Sequence, residues 1–462
     1  MIKNIEEKHI IFFGCGAVQK CIFHYFDKYL TANYEKMLII DLLDYTTHPD
    51  VKKFIDKGAT YIQIDINKEY KNIISKLNPY DIIFDLSNRT DSLNIIEECL
   101  KNNIHYINTS LEDPISPKEI NKKEESLKRT YQYSHNVINT LKNKYKENAT
   151  SLLCAGMNPG TITVMTKLAI LHLAKNTKKT KELNLYINER DWGRLCQYLE
   201  IEIIHCSETD SAILKNKNDK FNNTWCCQGL IDEYSDDTQM TWGTNQNTIP
   251  TGSEMLSDYV IDLHKPSKDV YSESYVPFDG KIIGCCISHS EQISGADYFS
   301  TPEHSPTIHY VYRFSPATYE SVKKLPDNLI GGTFPKGYTH VLNNLDDKFK
   351  GIDRVGSLII TKNKTCVWAG SMLSNTEKHI GLHSGTTAQV AVSVLSFMHW
   401  ILDNPKNGAN FPEVCDERYI YDRIKPYYGF YIDFVDYKPS SLQFEDLRRT
   451  KEEFDKQFSN KK

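Results

Sequence analysis

The sequence lacks the features that mark nucleic-acid-binding, secreted or membrane-spanning proteins. Lys and Arg do not outnumber Asp and Glu, and the formal net charge of the 462 residues is -5, which gives no reason to expect a nucleic-acid partner. The 12 cysteines form no C-x-x-C pair, and the stretch MIKNIEEK has no apolar core. The apolar runs are too short for a bilayer. We therefore expect a folded cytoplasmic protein with reduced thiols, no membrane or nucleic-acid partner and no metal.

Short apolar runs alternate with helical periods over the first 110 residues or so. Between the first two runs, apolar residues from Val18 to Tyr29 recur on one helical face, and a second helix is predicted over 92–103 with Ser92 as its cap. This alternation predicts βαβ units, hence an α/β, Rossmann-type doubly wound parallel sheet. The predicted strands are HIIFF (9–13), MLIID (37–41), YIQID (61–65), DIIFDLS (81–87) and IHYINTS (104–110).

A glycine turn, Gly14-Cys15-Gly16, lies between the first predicted strand and helix. Such a turn lets backbone N–H groups approach a pyrophosphate at a helix N-terminus. Gln19 replaces the third glycine of G-x-G-x-x-G, and a plain βα turn is the alternative. Asp41 ends the next strand, where an acid binds ribose hydroxyls and favours NAD over NADP. The predicted cofactor-binding residues are Gly14, Gly16, Ala17, Val18, Asp41, Asp65 and Ser87.

The chain length favours more than one domain. We predict an NAD-binding domain over 1–160 and a mixed α+β substrate domain over 161–375, where Tyr and Trp become frequent. Residues 376–462 are predicted to form a C-terminal helix, starting near Thr386 or Thr387, and a tail that return to the first domain. The charged end of that tail is expected to fray.

Polar candidates for a second site are spread over the rest of the chain. Asn158-Pro159-Gly160 directly follows an apolar run, and open α/β sheets bind ligands at the carboxyl ends of their strands, although a purely structural turn is the alternative. Considered one at a time, the other candidates are explained as solvent-exposed acids, a tryptophan of the core and a histidine with its hydrogen bonds made. Together they show neither the order of a Ser/His/Asp triad nor the spacing of metal ligands. They are Glu208, Trp225, Glu233, His289 and Asp353.

Nine short segments, considered together, carry more information than each alone. They are GCGAV, IID, CAGMNPG, SETD, NTWCCQG, WGT, SHSEQIS, GIDRVG and PYYGFY, in this order along nearly the whole chain. In this order they resemble the bacterial-type homospermidine synthases of the saccharopine dehydrogenase-like group. The resemblance implies a homodimeric transferase that converts two putrescine molecules, or related diamines, to homospermidine and ammonia through imines, with NAD recycled.

The resemblance also implies roles for individual residues. Trp225 would hold the cationic amine and iminium on its ring face, an interaction of about 0.5–2 kcal/mol, because a diamine with pKa values near ~10.4 arrives as a dication. Glu208 would position or deprotonate the reacting amine, Glu233 would bind the distal ammonium, and Asn158 would orient the substrate. Further proton carriers or electrostatic stabilisers are His289, Asp353 and Glu112.

One position departs from the family pattern, and two other functions are consistent with the sequence. The family carries an acid after the fourth strand, where this chain has Arg89, with Asp91 two residues later. A saccharopine- or carboxynorspermidine-type dehydrogenase, which acts on an amine–keto acid imine, would need cations such as Arg89, Arg190 or Arg354 for its carboxylates. A non-catalytic dinucleotide-binding polyamine sensor is the other alternative.

Overall fold

The computed structural model describes residues 2–114, 130–216, 218–347 and 349–459, and its first large sheet is built from buried apolar strands. The strands are β1 (Ile10–Phe13), β2 (Met37–Asp41), β3 (Thr60–Gln63), β4 (Ile82–Asp85), β5 (His105–Asn108) and β6 (Ser151–Leu152). Together with Ala409–Asn410 they run parallel in the order 409–410, β6, β5, β4, β1, β2, β3. This order reverses between β1 and β4, as in doubly wound nucleotide-binding sheets.

Helices cover both faces of this sheet because successive side chains of a strand point to opposite sides. Ile10 and Phe12 belong to one hydrophobic cluster, whereas Ile11 and Phe13 belong to the other. The prediction of a Rossmann-type doubly wound α/β domain is confirmed. The helices of this part of the chain are α1 (Ala17–Tyr29), α2 (Pro49–Asp56), α3 (Ile66–Ile74), α4 (Ser92–Lys101) and α5 (Tyr131–Lys144).

The second large sheet is mixed, which confirms the expected second architecture. Its strands are β7 (Ile201–Asp210), β8 (Asp237–Thr241), β9 (Glu254–Met255), β10 (Val260–Pro266), β11 (Tyr271–Val276), β12 (Gly280–Cys285), β13 (Thr307–Arg313), β14 (Ile352–Thr361), β15 (Cys366–Ser374), β16 (Tyr431–Phe434) and β17 (Arg448–Arg449). The main path is β9-β10-β8-β13-β7-β14-β15-β16. Off this path, β12 pairs with β13 and with β11, and β11 also pairs with β17. In this sheet β7 and β13 pair in parallel.

The remaining helices connect or cover these strands. They are α6 (Thr161–Lys175), α7 (Lys181–Glu189), α8 (Trp192–Tyr198), α9 (Cys227–Ser235), α10 (Ser290–Tyr298), α11 (Pro316–Lys323), α12 (Gly385–Asp403), α13 (Glu417–Ile424), α14 (Phe444–Leu447) and α15 (Lys451–Ser459).

One predicted helix cap is wrong by one residue. Asp91, not Ser92, caps α4 by accepting a hydrogen bond from the backbone N–H of Asn94. Ser384 caps α12, and Thr387 completes the capping box from the third helical position. The α12 cap lies two residues before Thr386, so the prediction of a helix that starts near Thr386 or Thr387 agrees with the structure.

The C-terminal segments join both sheets. The helix α12 packs on α1 of the first part of the chain. Within the described ranges, α12 is long and apolar enough to cross a membrane, judged by length and composition alone. This corrects the expectation that every apolar run is too short. However, 89% of the most apolar stretch of α12 is buried inside the protein. The tail, in contrast, joins the large second sheet, where Phe454 is buried and Phe458 stacks on Tyr319 at 3.9 Å, so residues 451–459 are held by packing rather than frayed.

Candidate active site

A cavity of about 860 Å³ lies where the carboxyl ends of β1, β2 and β4 meet elements of the second sheet. Because parallel strands direct their carboxyl ends to one edge, loops far apart in sequence converge there. All the predicted site residues line this cavity except Asp353: Gly14, Gly16, Ala17, Val18, Asp41, Asp65, Ser87, Glu112, Asn158, Glu208, Trp225, Glu233 and His289.

The glycine turn has the geometry that a pyrophosphate requires. Gly14 has a φ of 79°, and a Cβ there would lie 2.7 Å from the Leu86 carbonyl oxygen and from the Ser87 nitrogen. A Cβ on Gly16 would meet nothing within 4 Å, so the backbone is open to the cavity at that point. The helix α1 starts at the next residue, which directs its first N–H groups and the positive end of its dipole to the same space.

Acids around this turn also hold the backbone. Asp41 accepts hydrogen bonds from the N–H groups of Cys15 at 2.6 Å and Leu43 at 2.8 Å. Asp65 caps α3, and Ser87 donates its hydroxyl to buried Asp85. Gln19, at the position of the usual third glycine, is fully buried in α1. The Asp41 carboxylate, on the cavity wall, therefore holds the glycine turn through the N–H of Cys15.

Glu208 is held on β7 by two hydrogen bonds to the same carboxylate oxygen. The phenol of Tyr310 donates at 2.7 Å and the amide of Asn158 donates at 2.9 Å, both to Oε2. Burial raises the pKa of Glu208 to about 7, although both hydrogen bonds oppose the rise. A carboxyl group with a pKa near neutrality can exchange a proton with an amine at physiological pH.

Two further acids lie next to Glu208. Asp210, two residues along β7, accepts from Thr224 at 2.7 Å and from the N–H of Ala212 at 2.8 Å, and burial raises its pKa to about 6. Asp353 lies opposite Asp210 on β14 and is 1% exposed. Burial, together with the charges of Glu208 and Asp210, raises the pKa of Asp353 well above its usual value. Asp353, predicted to bind substrate, is therefore buried beside Asp210 and does not line the cavity.

His289 lies between two carboxylates. Its Nε2 is 3.3 Å from Oε1 of Glu233 and its Nδ1 is 3.4 Å from Oε1 of Glu291. Burial lowers the pKa of His289, but the two carboxylates outweigh it and raise the pKa to about 10. The ring also lies 4.7 Å from that of Tyr310. Sequence reasoning missed Glu291, and the only available signal was its position two residues after His289 in SHSEQIS.

Trp225 and Glu112 lie near the loop that carries Arg89. The half-buried indole of Trp225 contacts the first turn of α9, because a Cβ on Gly229 would lie 2.8 Å from its Cζ3 atom. The Glu112 carboxylate accepts from the N–H of Arg89 at 3.0 Å and from the Ser110 hydroxyl at 2.7 Å. Burial raises the pKa of Glu112.

The Arg89 guanidinium forms an ion pair with a carboxylate of the second part of the chain. Its Nε and Nη2 atoms donate to the two Asp232 oxygens at 3.2 and 2.8 Å, and Nη1 donates to Thr333. Asp91 does not replace the acid that the family carries here, because it caps α4. The guanidinium is therefore already paired at the cavity wall.

Family models match nearly the whole chain. The model described as the saccharopine dehydrogenase NADP binding domain matches residues 10–152, and the saccharopine dehydrogenase C-terminal domain matches residues 156–426. The chain belongs to the saccharopine dehydrogenase family. The two matches meet at the end of β6, just before the loop that carries Asn158.

Within this family, the chain is similar to homospermidine synthases. It is 26% identical over 466 residues to the homospermidine synthase of Mesorhizobium japonicum, covering 96% of this chain and 94% of that protein. It is 26% identical over 446 residues to that of Blastochloris viridis, covering 91% and 89%. The resemblance seen in the nine segments is thereby confirmed.

Solved structures agree with these matches. The homospermidine synthase of Legionella pneumophila in complex with NAD has a TM-score of 0.82 at 26% identity, covering 97% of this chain and 99% of that one. Saccharopine dehydrogenase (L-Glu forming) from Saccharomyces cerevisiae has a TM-score of 0.51 at 12% identity, covering 93% and 99%, and shows the shared fold alone.

Proposed function

We propose that this protein is an NAD-dependent homospermidine synthase that converts two putrescine molecules to homospermidine and ammonia. The observation that carries the proposal is one cavity that joins an open glycine turn to an acid-rich wall bearing Glu208, Trp225 and Glu233. The relatives named homospermidine synthase, one of them crystallised with NAD, support it.

The residues around the glycine turn fit a nicotinamide dinucleotide. Gly16 leaves room for the pyrophosphate where a Cβ would point into the cavity, and the N-terminus of α1 favours its negative charge. Asp41 lies where the ribose hydroxyls are expected and would repel a 2′-phosphate, which favours NAD. When bound, the cofactor supplies a hydride acceptor and donor for amine carbons.

Glu208 is proposed to accept a proton from the reacting amine and to donate it back. A primary ammonium must lose a proton before its carbon can be oxidised, and the Glu208 carboxylate, with a pKa of about 7, can take it. The hydrogen bonds from Asn158 and Tyr310 hold that carboxylate in one orientation. Protonated Glu208 can then return the proton to the nitrogen that leaves as ammonia, so that no net proton is consumed at this residue.

Trp225, Glu112 and Glu233 are proposed to bind the positive charges. The Trp225 face stabilises the iminium by about 0.5–2 kcal/mol, more where water is excluded. Because Glu233 already pairs with His289, its pull on a distal ammonium is weaker than that of a free carboxylate. The hydrogen bonds of Glu112 within the described chain come from a backbone N–H and a hydroxyl, not from a cationic side chain. Glu112 is therefore the stronger candidate for binding the distal ammonium.

The three arginines considered as carboxylate partners argue against an amine–keto acid substrate. Arg190 pairs with Glu417 at 2.8 Å and Arg354 pairs with Asp279 at 2.9 Å, and neither lines the cavity. Arg89 lines it but is engaged by Asp232. A saccharopine- or carboxynorspermidine-type reaction would require free cations for the substrate carboxylates.

We also propose that the protein is a cytoplasmic homodimer that binds neither nucleic acid nor a membrane. The chain matches the relatives named above over nearly its whole length, so the homodimer that the family resemblance implies is proposed for this chain. Light scattering coupled to size-exclusion chromatography on the purified chain tests this, since a mass equal to a single chain at working concentrations would contradict the dimer.

Product analysis tests the reaction itself. The purified protein is incubated with putrescine and NAD, products are measured by mass spectrometry, and NADH is followed by absorbance. We expect homospermidine and ammonia in equal amounts without accumulation of NADH. Oxidation of NADH only when an amine and a keto acid are supplied together would instead support the dehydrogenase, and NAD and putrescine binding without any turnover would support the sensor.

A matched pair of variants locates the chemistry. Glu208→Gln should lower turnover by roughly 10²–10⁴-fold while NAD binding is retained, since a proton carrier is lost without a change of shape. Glu202→Gln is the control, because it changes the same residue type on the same strand outside the cavity. Equal turnover of the two variants would contradict the role of Glu208.

A further inference from the structure

Two histidines and an aspartate from three distant segments meet beside α1. His24 lies on α1, Asp50 lies in the first turn of α2, and His383 directly precedes the cap of α12. The Nδ1 atom of His24 is 3.9 Å from Oδ1 of Asp50, and Nε2 of His383 is 3.0 Å from Oδ2. One ligand atom from each of the three residues lies within 4.8 Å of the others.

The hydrogen bonding of His24 points to a cation between these groups. Its Nε2 lies 2.9 Å from the carbonyl oxygen of His379, which can only accept, so Nε2 carries the hydrogen. In a neutral imidazole the Nδ1 atom then has a lone pair, and that lone pair lies opposite a carboxylate oxygen of Asp50. A metal-binding histidine typically donates its other ring N–H to a backbone carbonyl in this way.

The surroundings hold these side chains in place and leave a route to the site. Asp50 and His383 are buried, and a Cβ on Gly381, whose φ is 61°, would lie 2.6 Å from the His24 ring. The loop before α12 therefore closes over His24 because residue 381 is glycine. His383 and His48 both line the large cavity, which gives an ion a path to the cluster and room for water ligands.

We propose that His24 Nδ1, the Asp50 carboxylate and His383 Nε2 bind a divalent first-row transition metal ion of the zinc class. Two imidazoles and one carboxylate form a donor set that such ions prefer, at about 2.0–2.2 Å from each ligand atom. The ion would link α1, α2 and the start of α12, so its role is to clamp the C-terminal helix onto the first sheet. This site is independent of the proposed reaction.

Metal binding by the full-length protein tests the proposal. Chelator-treated protein is titrated with Co²⁺, whose visible absorption reports nitrogen and oxygen ligands, and then with Zn²⁺ as competitor. We expect one Co²⁺ bound per chain, displaced by Zn²⁺, and a higher unfolding temperature in the loaded protein. Absence of a saturable Co²⁺ spectrum would overturn the proposal.

Variants assign the ligands. His24→Gln should abolish the Co²⁺ spectrum, whereas His264→Gln should leave it unchanged, because His264 belongs to a separate cluster with Asp237 and the buried Asp262. Loss of the spectrum in His264→Gln and its retention in His24→Gln would overturn the assignment. If His24→Gln does not fold, X-ray absorption of the Zn²⁺-loaded wild type decides, since fewer than two imidazole ligands would contradict the site.

Discussion

The phenol of Tyr310 donates a 2.7 Å hydrogen bond to Oε2 of Glu208, although the two side chains come from different strands of the second sheet. The parallel pairing of β13 with β7 brings them together, with Tyr312 directly opposite Glu208. Since the bond stabilises the ionised carboxylate, it keeps the pKa of Glu208 lower than burial alone would allow. Tyr310 thus adjusts the pH range in which Glu208 can accept a proton.

Tyr310→Phe should move the acidic limb of the pH–rate profile to higher pH. A hydrogen bond to a charged group contributes about 1.5–3 kcal/mol, or roughly 1–2 pKa units, so the ionised fraction of Glu208 at neutral pH falls and activity recovers at higher pH. The measurement is kcat/KM for putrescine against pH. Tyr312→Phe is the control, because Tyr312 lines the same cavity and its hydroxyl has no hydrogen-bond partner within the described chain. An unmoved limb in Tyr310→Phe would contradict this role.

The strand runs and the cavity wall were predictable because local pattern decides both. Runs such as IIFF, buried at every position, can only be central strands, and their carboxyl ends meet at one edge, so Asp41 and Asn158 share a cavity. The nine ordered segments then predicted Glu208, Trp225 and Glu233 as site residues, and all three line this cavity.

What could not be predicted depends on packing between distant segments. Tyr310 looks like an ordinary strand residue until the β7–β13 register is known. Asp353 looks like a site acid until the pairing of β14 with β7 places it opposite Asp210, away from the cavity lining. Likewise, the charged tail gives no sign that Phe454 packs on Tyr271 at 4.9 Å. In each case the pairing of elements, which the sequence does not encode locally, decides the role.

Alanine substitutions at Gly14 and Gly16 should have different effects. Gly16→Ala adds a methyl group that meets no protein atom, so the free energy of unfolding should stay within about 0.5 kcal/mol of wild type while NAD binding weakens by roughly tenfold or more. Gly14→Ala should destabilise the protein by about 1–3 kcal/mol, since its φ is left-handed and its Cβ meets backbone. Calorimetric titration with NAD and chemical denaturation measure the two effects. Unchanged NAD affinity in Gly16→Ala would show that the pyrophosphate binds elsewhere.

Trp225→Phe should lower kcat/KM for putrescine by less than roughly 30-fold, because the phenyl ring keeps part of a cation–π contribution of about 0.5–2 kcal/mol. Trp225→Ala should lower it further because the ring is lost altogether. Steady-state kinetics with each variant make the measurement. Trp192→Phe is the matched control, since Trp192 contacts the protein's own Lys167 ammonium at 5.3 Å and lies outside the cavity. A similar loss in the control would show that the effect is one of stability.

His289→Gln should destabilise the protein in a pH-dependent way. The pKa of His289 is raised to about 10 in the folded state by Glu291 and Glu233, against the opposing effect of burial. Its contribution to stability is therefore complete below the ordinary value near ~6.5 and is lost as the pH rises through about 10. Removing one member of a buried ion pair lowers the free energy of unfolding by on the order of 3–5 kcal/mol, and we expect this loss at the low end of that pH range.

Chemical denaturation of wild type and His289→Gln at several pH values between ~6 and ~10 measures this difference. The gap between the two free energies of unfolding should be largest at the lowest pH and should shrink toward the highest. His304→Gln serves as the control, because burial lowers the pKa of His304, so its neutral ring contributes no such slope above neutrality. A gap that stays constant for His289→Gln would mean that His289 is not an imidazolium in the folded protein, and the charge pairing of Glu233 would then have to be abandoned.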